Sequence, residues 1–192
     1  MKIGLMGGGF DPLHVGHLGA AQDAADQLGL DRVIMLPAAE TPRKPGAALT
    51  AGDRRLAMLK LATADHPLLE VSDFELTQGG VSFTINTVRH FRDHYPQDEL
   101  FWIIGADQVE SLDHWRSIDE LALLTEFIYL ARPGHHIKAP PATPGLTLHR
   151  CQGRCLDISS TKLRENLRQN EPVNEFIPPE VIVYIGQWKL YQ

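Results

Sequence analysis

Residues 7–17, GGGFDPLHVGH, carry a dense set of groups that could bind phosphate. The stretch opens with Gly7, Gly8, Gly9 and Phe10, and it closes with two histidines three residues apart, His14 and His17. Glycine N–H groups and the positive end of a helix dipole both favour a bound anion, and histidines at this spacing share one helix face. We predict that the stretch binds phosphate groups, with both imidazoles facing the ligand. In the alternative, one histidine caps a turn and the other packs in the core.

Two better-known phosphate motifs are excluded by the same residues. The dinucleotide fingerprint G-x-G-x-x-G requires a third glycine at position 12, where this sequence has Pro12. The P-loop pattern G-x-x-x-x-G-K-[ST] occurs nowhere in the sequence. A dinucleotide fingerprint and a P-loop NTPase are therefore both ruled out.

A second candidate phosphate site lies near the end of the sequence, in ISSTKLR at residues 158–164. Its members are Ile158, Ser159, Ser160, Thr161 and Arg164. Hydroxyl and N–H groups at a helix start suit phosphate oxygens, and an arginine one turn later can reach the same anion with its planar fork. In the alternative, the serines form an ordinary helix cap and the arginine lies on the surface.

The elements that must position these residues alternate between strands and helices. Apolar runs at 2–6, 32–37, 100–105 and 126–131 read as buried strands, with shorter ones at LLEVS and LTLHR. Helical spacing follows the first histidine stretch and recurs at 52–64 and 83–95, in a short piece near 107–123, and after Ser159 or Ser160. This order predicts an α/β, Rossmann-like open, mostly parallel sheet with helices on both faces and ligands at the carboxyl ends of its strands. We expect a single domain over 1–192, with the C-terminal helical part, about 156–192, packed on the sheet.

The overall composition restricts the classes of partner. The 192 residues carry a formal net charge of −6 and no run of Lys and Arg longer than two, so we expect no nucleic-acid partner. No apolar run approaches about 18 residues, so we expect no membrane span. The N-terminus does not resemble a secretory signal, and we expect a cytoplasmic protein. Whether copies of the chain form a homo-oligomer is left open.

The two cysteines are expected to be free thiols, because the cytoplasm is reducing. His149, Cys151 and Cys155 are conceivable zinc ligands, but a structural zinc site needs four ligands and commonly closer thiol spacing. We therefore predict no protein metal site.

Two separated motifs carry a family resemblance. HVGH at 14–17 and ISSTKLR at 158–164 are similar to the H-x-G-H and I-S-S-T-x-x-R motifs of nucleotidylyltransferases related to class I aminoacyl-tRNA synthetases. The further blocks PAAETPRKP, SFTINTVRHF, FWIIGADQVESLDHWRSIDEL and YLARPG, and the ending IPPEVIVYIGQWKLY, resemble bacterial nicotinate-mononucleotide adenylyltransferases. The similarity covers nearly the whole chain in one register.

The resemblance implies a reaction and its substrates. ATP and nicotinate mononucleotide would give deamido-NAD and pyrophosphate, without a covalent enzyme intermediate. Mg²⁺ would accompany ATP, held mainly by the phosphates and by water.

The resemblance also implies roles for individual residues. His14, His17, Lys44 and Arg164 would act on the reacting phosphates. ATP would contact the glycine turn from Gly7 to Phe10, the residues at 158–161, and Gly105 and Asp107 at the end of a buried strand. Nicotinate mononucleotide would contact Thr84, Trp115, Arg116 and Arg43, with Trp115 facing the ring and Arg116 favouring a carboxylate over an amide.

Three positions depart from the family pattern, and one of them is Asn86, which stands where an acidic residue is common. The other two keep other readings open. Gly9 stands where the family has Thr or Ser, so one side-chain hydrogen bond to phosphate is missing. Arg43 stands at a histidine position of the P-P-H-[KR] loop, which stays cationic but loses proton chemistry; Lys44 could also be an ordinary solvated lysine. The alternatives are a sister adenylyltransferase for nicotinamide mononucleotide, phosphopantetheine or glycerol phosphate, and a nucleotide-binding sensor without turnover.

Overall fold

A computed structural model describes residues 1–42, 49–131, 141–153 and 158–192. Six parallel strands form one open sheet in the order β3-β2-β1-β4-β5-β6. They are β1 (Lys2–Gly8), β2 (Arg32–Pro37), β3 (Leu69–Val71), β4 (Glu99–Gly105), β5 (Glu126–Ala131) and β6 (Leu148–Gln152). This confirms the predicted open sheet, and every pairing between these strands is parallel.

The strand order reverses between β1 and β4. From β1 the chain continues outward to β2 and β3 on one side, and it then crosses to β4, β5 and β6 on the other. In an open parallel sheet, a crevice forms at the carboxyl ends of the strands where the order reverses. The glycine turn after β1 and the residues after β4 therefore face one crevice.

Helices cover both faces of the sheet. Their bounds are α1 (Val15–Leu28), α2 (Gly52–Thr63), α3 (Phe74–Gln78), α4 (Thr84–His94), α5 (Ala106–Val109), α6 (Ile118–Leu124), α7 (Ser160–Arg168) and α8 (Pro179–Gln187), with a 3₁₀ turn at Leu112–His114. One core cluster joins α1, α2, α7 and α8 to one face, through residues such as Leu18, Met58, Leu163 and Val181. A second cluster joins α4 and α6 to the other face, through residues such as Val88 and Leu121.

The segment expected as one helical piece near 107–123 is instead three short pieces. Trp115 adopts an extended backbone, and Ser117 has a φ of 55° in the left-handed region, so the helical path is broken between the 3₁₀ turn and α6. Within the described residues, no helix is long and apolar enough to cross a membrane.

Candidate active site

The turn between β1 and α1 brings the two predicted histidines together. His14 caps the N-terminus of α1, and its ring stacks on the His17 ring with 3.7 Å between centroids. The backbone N–H of His14 donates to His17 Nδ1 at 3.3 Å, and Phe10 meets the His17 ring edge-on at 5.0 Å. The H-x-G-H spacing therefore makes a compact imidazole pair at the start of the helix.

The chemistry of the His17 ring follows from these contacts. Burial, and secondarily the neighbouring His14 ring, lower the pKa of His17 well below the ordinary histidine value, so the ring is neutral at pH 7. Because Nδ1 accepts the His14 N–H, the neutral ring carries its proton on Nε2. His17 is thus a neutral hydrogen-bond donor.

The second predicted phosphate stretch docks directly on the first. Ser160 Oγ donates to the Pro12 carbonyl oxygen at 3.0 Å, and Arg164 Nη1 donates to the Asp11 carbonyl oxygen at 2.6 Å. Ser159 is the cap of α7, since its Oγ accepts the Lys162 N–H at 3.2 Å. Two stretches that lie about 150 positions apart in the sequence therefore form one surface.

One cavity, which we call the histidine cavity, lies between these stretches and has a volume of about 330 Å³. Nine of the residues predicted for phosphate or ATP line it: Gly7, Gly8, Phe10, His14, His17, Gly105, Asp107, Ile158 and Ser160. Gly9, Ser159, Thr161 and Arg164 are not among its lining residues. Arg164 instead holds the turn through its bond to Asp11, with a weaker contact from Nη2 to Thr161 Oγ1 at 3.4 Å.

A larger cavity of about 570 Å³ adjoins the first, and we call it the tryptophan cavity. The predicted residues Thr84, Trp115 and Arg116 line it. Both cavities share the wall formed by Gly7, Gly8, Ile103, Ile104 and Gln108, at the ends of β1 and β4. A ligand in one cavity can therefore meet a ligand in the other at the switch point of the sheet.

Aromatic contacts hold the predicted groups of the tryptophan cavity. The Arg116 guanidinium lies over the Phe83 ring at 4.7 Å, a cation–π contact that keeps an exposed charge at the cavity wall. Trp115 is half-buried and meets the Phe127 ring edge-on at 6.0 Å. Thr84 is the first residue of α4, where backbone N–H groups have no partner within the helix.

Several lining residues were missed by the sequence reasoning. Gln108 follows β4, so the rule that ligands bind at the carboxyl ends of strands could have found it. Glu75 lies on a helix of five residues that no sequence signal marked. Its buried carboxylate accepts from Thr87 Oγ1 at 2.7 Å, and burial raises the pKa of this carboxyl.

Two of the predicted cations, Arg43 and Lys44, lie outside the described residues, as does Cys155. Cys151 is fully buried, and burial, with a smaller contribution from Asp23, raises the pKa of its thiol to about 11. His149 pairs with Glu126. No group of three His, Cys, Asp or Glu side chains in the described part of the chain could hold a metal ion.

The parallel sheet and its two motif stretches define the class of α/β nucleotidylyltransferases, and a family model described as Cytidylyltransferase-like matches residues 5–166. A probable nicotinate-nucleotide adenylyltransferase of Opitutus terrae is 50% identical over 192 residues, which cover 100% of this chain and 98% of that protein. A probable nicotinate-nucleotide adenylyltransferase of Shouchella clausii is 40% identical over 190 residues, 99% of this chain and 96% of that protein. The chain belongs to the nicotinate-nucleotide adenylyltransferase family.

Solved structures share the fold. Plasmodium falciparum nicotinic acid mononucleotide adenylyltransferase complexed with NaAD matches with a TM-score of 0.80 and 19% identity, covering 99% of this chain and 97% of that one. The same protein complexed with APC matches with a TM-score of 0.79 and 18% identity, covering 99% and 96%. These likenesses confirm the predicted Rossmann-like architecture.

Proposed function

We propose that this chain transfers the adenylyl group of ATP to nicotinate mononucleotide, giving deamido-NAD and pyrophosphate in NAD biosynthesis. The observation that carries the proposal is the pair of adjoining cavities at the switch point, one lined by the imidazole pair and the other by Trp115. Family membership supports the same reaction.

The chemistry requires positioning more than a nucleophilic side chain. A phosphate oxygen of the mononucleotide attacks the α-phosphorus of ATP, a new P–O bond forms, and the bond to the β-phosphate oxygen breaks as pyrophosphate leaves. The attacking group is already an anion, so no covalent enzyme intermediate is needed. Catalysis then depends on alignment of the two substrates and on stabilising the charge that develops on the phosphates.

On this proposal the histidine cavity binds ATP. The Nε2–H of His17 donates to a phosphate oxygen, His14 flanks it, and Gly7, Gly8 and the Phe10 backbone form the turn beneath. Ser160 offers its N–H at the start of α7. Arg164 donates to the triphosphate from the N–H groups that do not bond to Asp11. Ser159 and Thr161 complete the helix start. Gly105 and Asp107 contact the adenosine.

The tryptophan cavity binds the mononucleotide. Trp115 offers its face to the pyridine ring, and Thr84 offers its backbone N–H and hydroxyl to an anionic group. The Arg116 guanidinium favours the carboxylate of nicotinate over the amide of nicotinamide, because only the carboxylate is charged. We keep Lys44 as a cation that neutralises phosphate charge during the transfer, and Arg43 as a cation that contacts the mononucleotide.

Mg²⁺ fits this site as an ion carried in by ATP. The acidic side chain that the structure describes on the wall of the histidine cavity is Asp107, and one carboxylate is too few for a cage made by the protein. When bound, the ion neutralises phosphate charge, and the phosphates and water supply most of its ligands.

The test is pyrophosphate release from ATP with four acceptors in turn: nicotinate mononucleotide, nicotinamide mononucleotide, phosphopantetheine and glycerol phosphate. We expect the highest kcat/KM with nicotinate mononucleotide. Faster turnover with another acceptor would assign the chain to a sister transferase, and ATP binding without pyrophosphate release would make it a sensor.

His17→Ala tests the imidazole pair. We expect kcat to fall about 100- to 1000-fold, as for loss of one preorganised donor to a transition state. KM for ATP should change far less, because the lost contact acts in the transition state. His66→Ala, a histidine outside both cavities, is the control. Unchanged turnover in His17→Ala would refute the role of this ring.

A further inference from the structure

A buried polar cluster supports the glycine turn without lining either cavity. We call it the turn-support cluster and define it as Asp11, Thr50, Arg55 and Tyr191. Asp11 is 4% exposed and Arg55 is 2% exposed. Polar groups buried this deeply are generally hydrogen-bonded, because an unpaired buried polar group costs stability.

The cluster forms a closed set of bonds around the turn. Arg55 donates from Nη1 to the Gly9 carbonyl oxygen at 3.0 Å and from Nε to the Thr50 carbonyl oxygen at 2.7 Å. The Thr50 N–H donates to Asp11 Oδ2 at 3.1 Å. The Tyr191 hydroxyl donates to Asp11 Oδ1 at 2.6 Å, and burial followed by this bond raises the pKa of Tyr191. Arg55 of α2 thus holds Gly9, and Tyr191, which follows α8, holds Asp11 at the other end of the same three-residue segment.

The bond from Arg55 fixes the direction of a particular N–H. A trans peptide unit is planar, so the carbonyl of Gly9 and the N–H of Phe10 point in opposite directions. Arg55 holds the Gly9 oxygen within the cluster, while Phe10 lines the histidine cavity. The Phe10 N–H is therefore directed away from Arg55. Phe10 has a φ of 46°, a left-handed conformation that costs a non-glycine residue energy and needs support from its surroundings.

We propose that Arg55 and Tyr191 are positioning residues for adenylyl transfer, which hold the Gly9–Phe10 peptide so that its N–H faces the triphosphate. Arg55 acts on the carbonyl before Phe10, and Tyr191 acts through the carboxylate of Asp11, the residue after it. The inference rests on the proposed function for the identity of the anion. It adds to the proposed active site two residues that do not touch the substrate.

The test compares ATP with adenosine, which lacks the phosphates. Tyr191→Phe removes only a hydroxyl, and Arg55→Lys keeps the charge but removes the two-pronged donor. We expect the dissociation constant of ATP, measured by titration calorimetry without acceptor, to rise about tenfold or more in each variant, while that of adenosine is unchanged. Equal losses for ATP and adenosine, or no loss for ATP, would overturn the proposal.

The chain offers matched controls. Arg54 is the neighbour of Arg55 in α2, and its Nη1 donates to the hydroxyl of Tyr184 in α8 at 3.2 Å. Arg54→Lys and Tyr184→Phe therefore make the same chemical changes in the same part of the fold, away from the turn. Both should keep the ATP affinity of the parent protein. An equal loss of ATP affinity in the controls would show a general effect on packing and would count against the proposal.

A double-mutant cycle tests the route through Asp11. If Tyr191 acts through this carboxylate, Tyr191→Phe should cause no further loss of ATP affinity in an Asp11→Ala protein, which has no side-chain acceptor. Additive losses would contradict that route. If melting shows that Arg55→Lys does not fold, Tyr191→Phe carries the test. Because ATP binding is measured without acceptor, a failure of the proposed function would appear only in the acceptor assay.

Discussion

At the residue scale, the turn has room for a side chain at Gly9. A Cβ atom added to Gly9 would lie 3.7 Å from Leu49 Cδ2 and 4.0 Å from Thr41 Cγ2, which are ordinary contacts. Thr41 lines the tryptophan cavity, so a hydroxyl here would reach its edge. The missing hydroxyl of this turn can therefore be restored without displacing a neighbour.

We expect Gly9→Ser to raise kcat/KM about tenfold, since a hydrogen bond to a charged group contributes about 1.5–3 kcal/mol. Steady-state kinetics with both substrates would measure the gain. Gly9→Ala adds the same Cβ without the hydroxyl and should leave kcat/KM near the parent value. A gain in both variants would assign the effect to backbone stiffening rather than to a phosphate contact.

His17 also links the site to the pH dependence of stability. Its pKa is lower in the folded than in the unfolded chain, so the unfolded chain binds more protons between the two values. The free energy of unfolding should therefore fall as the pH drops below about 6.5, the unfolded value. Urea denaturation at pH 7 and at lower pH should show a smaller drop for His17→Gln than for the parent. An unchanged drop would contradict the lowered pKa.

At the scale of elements, Asp113 ties two segments beside the tryptophan cavity. It lies in the 3₁₀ turn before Trp115, and its Oδ1 accepts the N–H of Thr143 at 3.1 Å and the Thr143 hydroxyl at 2.7 Å. The Ala142 N–H donates to the same carboxylate at 3.0 Å, and these bonds lower the pKa of Asp113. This carboxylate fixes the segment at 141–143 relative to Trp115.

We expect Asp113→Ala to raise KM for the mononucleotide about three- to tenfold, on the scale of one or two lost hydrogen bonds. KM for ATP should stay unchanged, because neither Asp113 nor the segment at 141–143 lines the histidine cavity. Asp119→Ala, at an exposed carboxylate in α6, is the control. An equal rise of both KM values would show that the anchor serves the whole fold.

The elements that the sequence predicted best are the strands that are buried on both faces and therefore read as near-continuous apolar runs. The continuous apolar runs of β2, β4 and β5 gave strands whose bounds nearly match the structure. The segment at 107–123 was harder to predict because its apolar residues Val109, Leu112, Trp115, Ile118 and Leu121 recur every three positions, as they can in a helix. In the structure they all pack toward one core cluster, although the backbone between them is broken by extended and left-handed residues.

At the scale of the whole molecule, the motifs identified residues that line the histidine cavity, whereas the contacts of the turn-support cluster could not be predicted from the sequence. Ser160 and His14 line the same cavity, and each lies at the start of its own helix. The contact between Tyr191 and Asp11 spans 180 positions, and neither residue belongs to a periodic pattern from which the contact could be predicted. Glu75 was missed because its five-residue helix carries no sequence signal, and its carboxylate is held by Thr87 of the next helix.

The contact between Tyr191 and Asp11 has a consequence for synthesis of the protein. Asp11 is translated before β2 to β6, but its phenolic partner is translated only after the six strands of the described residues. A nascent chain can therefore assemble its sheet while the glycine turn still lacks one of its supports. On the proposal above, the support that Tyr191 gives to ATP binding is therefore added after the residues of the sheet have been translated.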